Sequence, residues 1–326
     1  MKRLLIFFAF CLVFLLSAAW LIKMFTWDKG DLITFTIHPG QSGAAVAQEL
    51  KAKGIIKSPL AFKILLRLTS SARDLKAGKF DLRKNTPSFE VINCIKSGQC
   101  IHYEKLTVLE GWRSEEIAEM LAEKNITDAK EFLSIVRARN LEGKLFPSTY
   151  LFSEKTPAQK VVAEMTAEYE KRIKPLFAKY PTKLTENQVL TIASIVEREA
   201  IHHDERPKIA AVYLNRYKIG KRLEADPTVQ YALGFNAREN RYWKKGLTFK
   251  DLKISSPYNT YRNAGLPPGP ICNPSYESVL GVLKPTPNFN NLYFVADNTS
   301  RHVFSPTFDE HKRNIQRIRA PKQNPI

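Results

Sequence analysis

Cysteine is scarce: the 326 residues contain four. Cys11 falls in an apolar run and Cys272 stands alone, so Cys94 and Cys100, bracketing Ile-Lys-Ser-Gly-Gln, are the one close pair. In an oxidising compartment that pair closes a disulfide; the alternative is two buried thiols. Histidine is rare too, at six, and His202 and His203 are adjacent and cannot share one helix face as ligands, so no zinc spacing exists. Neither a metal nor another cofactor is expected. Acidic residues are short, 32 against 50 Lys and Arg, and the net charge of +18 calls for an anionic partner or surface. Nucleic acid is not expected to be that partner, because the basic residues are dispersed and no zinc-finger, RRM or basic-zipper motif is present.

What is present begins with Leu4–Ile22, LLIFFAFCLVFLLSAAWLI, an uncharged run long enough to cross a bilayer as a helix. Lys2 and Arg3 precede it and favour a cytoplasmic N-terminus, although Lys23 and Lys29 weaken the asymmetry. Ser17-Ala18-Ala19 would suit a signal-peptide cleavage site, but the run continues through Trp20-Leu21-Ile22, which favours an anchor. Either reading puts the rest of the chain outside the cytoplasm, and the anchor reading makes the membrane a partner.

The next region repeats. Sliding Phe35–Phe62 onto Leu106–Leu133 matches Gly40 with Gly111, Ala47 with Ala118, Leu50 with Leu121, Lys53 with Lys124 and Ile55 with Ile126. Each copy reads as a short strand, a Gly turn and a helix stopping near Gly54 or Asn125 before a second helix. Each then reaches a Gly-Lys-apolar step, Gly78-Lys79-Phe80 and Gly143-Lys144-Leu145. Two βαα units follow from this, either polymer-binding modules or packed scaffold.

The stretch Glu186–Asn215 is the most informative. Val189, Leu190, Ile192, Ala193, Ile195 and Val196 cover most of a helix circumference with apolar side chains. Glu199 falls on the edge shared by Ile192 and Ile195, and Glu197 falls on the other side beside Leu190 and Ala193. Desolvation on an apolar edge favours a neutral carboxyl, which turns a glutamate into a general acid near neutral pH. Two salt-bridged surface glutamates are the plainer alternative. A second amphipathic helix ends at Gly220. The segment from Ser255 onward, with Gly265-Leu266-Pro267-Pro268-Gly269-Pro270, is conformationally restricted and suits a cleft wall. LYFVAD and HVFS read as a hairpin, and Thr307 with Glu310 as a capping box opening a last helix.

Taken in order, these segments resemble the MltG (YceG-like) family of membrane-anchored endolytic murein transglycosylases. The resemblance rests on Ala193–Glu199 (ASIVERE), Val212–Arg216 (VYLNR), Asp226-Pro227-Thr228-Val229, Tyr258-Asn259-Thr260-Tyr261, and Gly265–Ile271 with Asn273-Pro274. Tyr293–Asp297 with His302-Val303-Phe304, and upstream Glu110-Gly111 and Leu141-Glu142-Gly143 through Tyr150, also fit. It runs from the anchor nearly to the C-terminus. Each motif alone is weak, and their order and number carry the assignment. The family's catalytic glutamate is the second of the Glu-x-Glu pair, here Glu199. Ala200 departs from a frequent Thr or Ser, so a hydroxyl near the acid is in doubt.

The resemblance implies an α+β chain: residues 1–25 a cytoplasmic tip and transmembrane helix, 31–103 a LysM-like module, 104–184 a second βαα unit and helical linker, and 185–326 a mixed α/β catalytic region. Peptidoglycan glycan strands are the implied substrate, the inner membrane the location, and cell-wall synthesis proteins are candidate partners. Glu199 would protonate the glycosidic oxygen and then accept the proton of the MurNAc C6 hydroxyl, giving a 1,6-anhydro end. Asn215, Asp226, Tyr258, Asn259 and Thr260 are candidates to hold sugar hydroxyls and acetamides, with Tyr261 and Leu266 as apolar ring contacts; each polar one could equally cap a loop. Two other functions stay open. A muramidase-type hydrolase would need a second carboxylate, from Glu197, Glu224 or Asp226. A non-catalytic anchored protein binding glycan or polyanion would not need Glu199.

Overall fold

A computed structural model of the chain describes residues 30–69, 71 and 75–320. The expected anchor, Leu4–Ile22, lies outside the described residues. Among those described, no helix is long and apolar enough to cross a membrane. The chain divides after Glu104 into two compact units.

In the first unit, β1 (Leu32–Ile37) pairs antiparallel with β2 (Gly78–Arg83), Phe35 opposite Phe80. Between them come α1 (Gly43–Ala52) and α2 (Pro59–Leu68), and α3 (Ser88–Ser97) follows β2. Ser42 and Ser58 start α1 and α2 by accepting from Ala45 and Ala61 N–H, each at 3.2 Å. Phe35, Val46, Leu50, Phe62, Phe80 and Ile95 form the buried core. Cys94 and Cys100 are joined as a disulfide, with their Cα atoms 5.5 Å apart, across the turn in which Gly98 takes φ 80°. So short a loop is expected to add only about 2–3 kcal/mol. Replacing both cysteines with serine should therefore lower the denaturation midpoint while the unit still folds. An unchanged midpoint would mean that the bridge contributes nothing.

The second unit opens with the repeat's other copy: β3 (Glu104–Thr107) beside β4 (Thr149–Phe152), with α4 (Ser114–Glu123), α5 (Ala129–Ala138) and α6 (Ala158–Arg172). Val46, Ala47, Leu50 and Ile55 of the first copy answer to Ile117, Ala118, Leu121 and Ile126, all buried. Gly54 and Asn125 hold the same left-handed turn, at φ 71° and 53°. The second helices differ from the sequence slide by one residue. Ser58 and Asp128 are the N-caps, so Phe62 answers to Phe132, not Leu133, because the linker from Ile126 to Asp128 is one residue shorter than that from Ile55 to Ser58. The Gly-Lys-apolar steps also part: Gly78 opens β2, whereas Gly143 lies in a turn before β4. Gly143 takes φ 85°, and a Cβ there would come within 2.7 Å of Pro270, which explains the glycine.

After the short α7 (Lys174–Lys179) comes α8 (Glu186–Glu199), which starts with a reciprocal capping box between Thr185 and Gln188. Every residue from Val189 to Val196 is buried, so the helix is enclosed on all sides. Around it lie α9 (Arg206–Lys218), α10 (Asp226–Leu233) and α11 (Tyr276–Leu283). Ser194 Oγ accepts from Ile271 N–H at 3.0 Å and fixes the Pro-rich loop to α8. Asn273 joins that loop to the βαα part: its Oδ1 accepts from Leu145 N–H at 2.9 Å, and its backbone exchanges bonds with Gly111 and Trp112. Residues 105–184 therefore share one compact unit with 185–320. The chain closes with the antiparallel hairpin of β5 (Tyr293–Ala296) and β6 (His302–Ser305), then α12 (Phe308–Arg319). Thr307 Oγ1 accepts from Glu310 N–H at 3.3 Å, the half of the expected capping box that forms.

Candidate active site

Glu199 is the last residue of α8, where the backbone turns away at Ala200 with ψ 112°. It lines a cavity of about 290 Å³ together with Tyr213 and Arg216 of α9, Glu224 of the following loop, Asp226 at the start of α10, Tyr261, and the aromatic side chains of β5 and α12. Tyr213 and Arg216 are three residues apart and so share one face of α9. Tyr213 donates to Glu199 Oε1 at 2.9 Å. Burial pushes the Glu199 carboxyl up to about 7; the Tyr213 bond works against that, and the negative charge of Asp226 adds to it. Its place at a helix C-terminus, the negative end of the backbone dipole, also disfavours the carboxylate. A group so poised can give a proton and take one back near neutral pH.

The proton donor is lost as pH rises through about 7, so kcat/KM is expected to fall on that side. Tyr213→Phe removes a bond that favours the carboxylate and should move the alkaline limb to higher pH. Asp226→Asn removes a neighbouring negative charge and should move it lower. A limb that neither substitution moves would belong to another group.

Glu197 takes the opposite side of α8. Its Oε1 accepts from Arg206 Nη2 at 2.9 Å, and its Oε2 from Ser275 N–H at 2.8 Å and Ser275 Oγ at 2.5 Å. Burial works to raise this carboxyl, but the Ser275 bonds and the Arg206 charge bring it below its ordinary value. Its bonds hold the first turn of α9 and the N-cap of α11, away from the cavity that Glu199 lines.

The structure brings four of the sequence-nominated residues into the cavity: Glu199, Asp226, Tyr261 and Glu224, the last a candidate carboxylate of the hydrolytic alternative. Tyr261 donates to Asp226 Oδ1 at 2.6 Å. Asn215, Tyr258, Asn259, Thr260 and Leu266 do not line it. Asn259, fully buried, donates to the carbonyls of Leu252 and Ile254 at 2.9 Å each and accepts from Tyr261 N–H at 3.0 Å. Thr260 Oγ1 accepts from Ala225 N–H at 3.0 Å and meets Thr228 Oγ1 at 2.9 Å, which pins the loop to the start of α10. Asn215 donates to the carbonyls of Phe289 and Asn291 at 2.7 and 3.1 Å. Tyr258 packs on Tyr231, ring centroids 4.7 Å apart, and Leu266 packs on the core. At Asn215, Asn259 and Thr260 these contacts are loop-holding ones, the alternative left open for each polar candidate.

Sequence reasoning did not nominate Tyr213, Arg216, Tyr293, Phe294 or His311, all of which line the cavity. Arg216 is tied to the carbonyls of Leu292 and Leu223, at 2.6 and 2.9 Å, and to Glu224 at 3.0 Å, so it clamps the cavity's rim. Glu224 sits at φ 51°, a conformation held by that clamp. His311 stacks on Tyr293 at 5.3 Å, and its buried Nδ1 has no protein partner among the described residues. Burial first, and then the Arg216 charge, lower its pKa, which leaves a neutral imidazole in the wall. The spacing of Tyr213 from Arg216 was visible in the sequence; the approach of α9 and α12 to Glu199 was not.

The profile of the YceG-like family matches residues 35–317. The chain belongs to that family. Relatives within it include the endolytic murein transglycosylase of Bacillus subtilis, 31% identical over 90% of this chain and 87% of that protein. The endolytic murein transglycosylase of Streptococcus pneumoniae is 29% identical over 87% of this chain, which spans 58% of that longer protein. A crystal structure of a YceG-like protein from Listeria monocytogenes superposes with a TM-score of 0.55 at 30% identity, covering 86% of this chain and 98% of that one. The mixed α and β architecture is thus that of the YceG-like family.

Proposed function

We propose that the chain is a lytic transglycosylase that cuts the MurNAc-GlcNAc β-1,4 bond inside peptidoglycan glycan strands, with Glu199 as its acid and base. The observation that carries the reading is a single carboxyl raised to about 7, hydrogen-bonded by Tyr213 and set in a cavity of saccharide-ring dimensions. The enzyme class agrees with the relatives named endolytic murein transglycosylases.

In the proposed reaction Glu199 gives its proton to the glycosidic oxygen as the bond to MurNAc C1 breaks. The C6 hydroxyl of the same sugar closes on C1, and its proton returns to Glu199, which ends the cycle protonated. The nucleophile is part of the substrate, so ring closure needs no activated water. Tyr213 holds the carboxyl's orientation, and Tyr261 holds Asp226 toward the sugar. Tyr293 and Phe294 offer apolar ring contacts.

The apolar run Leu4–Ile22 would keep the enzyme at the outer face of the cytoplasmic membrane, close to newly made strands, with residues 31–103 acting as a LysM-like glycan-holding module. Cell-wall synthesis proteins would be neighbours there. A hydrolytic reading has one observation in its favour, that two further carboxylates, Glu224 and Asp226, line the same cavity. Mass spectrometry of muropeptides after digestion of purified strands separates the two. Anhydro-MurNAc ends support the transglycosylase. Reducing MurNAc ends, heavier by one water, would replace it with the hydrolase, and uncut strands would overturn both.

A further inference from the structure

The helix α2 is apolar on two sides, and the described residues cover only one. Phe62 and Leu66 are buried in the core, whereas Leu60, Ile64 and Leu68 are 64%, 48% and 76% exposed. Spaced four apart, these three form one stripe along the helix, and Lys63 and Arg67 lie along one edge of it. α2 contains no acidic residue. Between Glu49 and Asp74 the sequence has Lys51, Lys53, Lys57, Lys63, Arg67 and Arg73 and no acid. An apolar stripe edged only by cations has the composition of a helix that lies in the plane of an anionic membrane surface. Position agrees with composition. Gly30, where the described chain begins, follows the apolar run's last residue, Ile22, by only eight residues. If that run is in the bilayer, the first unit starts no farther than about 28 Å from it, and the lipid surface is present at high effective concentration.

We propose that α2 is a membrane-docking helix, with Leu60, Ile64 and Leu68 entering the interfacial layer of an anionic bilayer and Lys63 and Arg67 reaching its phosphates. The proposal rests on the membrane placement given under the proposed function. It commits to lipid as the occupant because a basic edge with no acidic counterpart matches an anionic surface. Docking would hold the first unit flat against the membrane and fix its height above the lipid.

The test uses the full-length chain in nanodiscs of phosphatidylethanolamine and phosphatidylglycerol, with the photo-crosslinker benzoylphenylalanine at position 64 or, as a control, at the exposed position 93. Lipid adducts at 64 well above those at 93 are expected. With the Lys63→Glu, Arg67→Glu double variant the yield should fall roughly tenfold or more, as two reversed contacts with an anionic surface predict. Chain that stays in the discs but gives no adduct at 64 overturns the docking alone, as does a cross-linked dimer, which would assign the stripe to a second copy. An adduct yield that the double variant leaves unchanged overturns the anionic contact. Chain recovered free of lipid overturns the membrane placement and the docking with it.

Discussion

Glu199→Gln is expected to slow strand cleavage by roughly a hundredfold to ten-thousandfold, the usual effect of removing a general acid, and to leave the fold intact. The amide can still accept the Tyr213 hydroxyl at its oxygen, so the end of α8 keeps its neighbour. Stability should not suffer. The carboxyl is raised from 4.5 to about 7 in the folded chain, so the folded state holds the proton more tightly. It therefore loses stability as pH rises through that window. Glutamine carries no such cost, and above pH 7 the variant should melt no lower than the parent. Muropeptide release and circular dichroism on one preparation give both answers. Near-full activity in Glu199→Gln, with activity lost from a normally folded Glu197→Gln, would reverse the roles of the two glutamates.

Glu197→Ala is expected to act on stability, at about 3–5 kcal/mol, the range for stranding one member of a buried ion pair. The side chains of Glu197 and Arg206 are each only 5% exposed, and Arg206 Nε already has no hydrogen-bond partner among the described residues. Without Glu197, the guanidinium would keep only its contact with His203 Nδ1 and the longer approach to Glu110 at 3.7 Å. The Ser275 N-cap of α11 would lose two bonds with it. A urea titration reads the loss directly. A midpoint within experimental error of the parent would show that the pair contributes little and that α9 and α11 are held by packing alone. The Glu197 carboxyl is below its ordinary value. Its stabilising part is therefore present above the unfolded pKa and should disappear as the solution is acidified through the lower, folded one.

The sequence by itself determined what depends on neighbours along the chain. Helical spacing put Glu197 and Glu199 on opposite sides of α8, and the structure gives them different partners for that reason. The apolar pattern marked α8 as enclosed, and the turn residues Gly54, Asn125 and Gly220 stood where left-handed backbone was needed. The repeat in its first helices, the closing hairpin and the order of the family's motifs were equally local. The tertiary structure decided which polar residues line the cavity. Asn259 and Thr260 look like sugar-binding residues in sequence, yet in the fold Asn259 bonds backbone groups of its own loop, and Thr260 meets Ala225 N–H and Thr228 at the start of α10. Tyr213 and His311 carry no local sign of a site, because α9 and α12 reach the end of α8 only through packing between segments distant in the chain. The acidity of Glu199 divides the same way. Helical spacing supplied the apolar edge, but the burial that raises its pKa, and the Tyr213 and Asp226 groups that adjust it, come from residues brought together only in the folded chain.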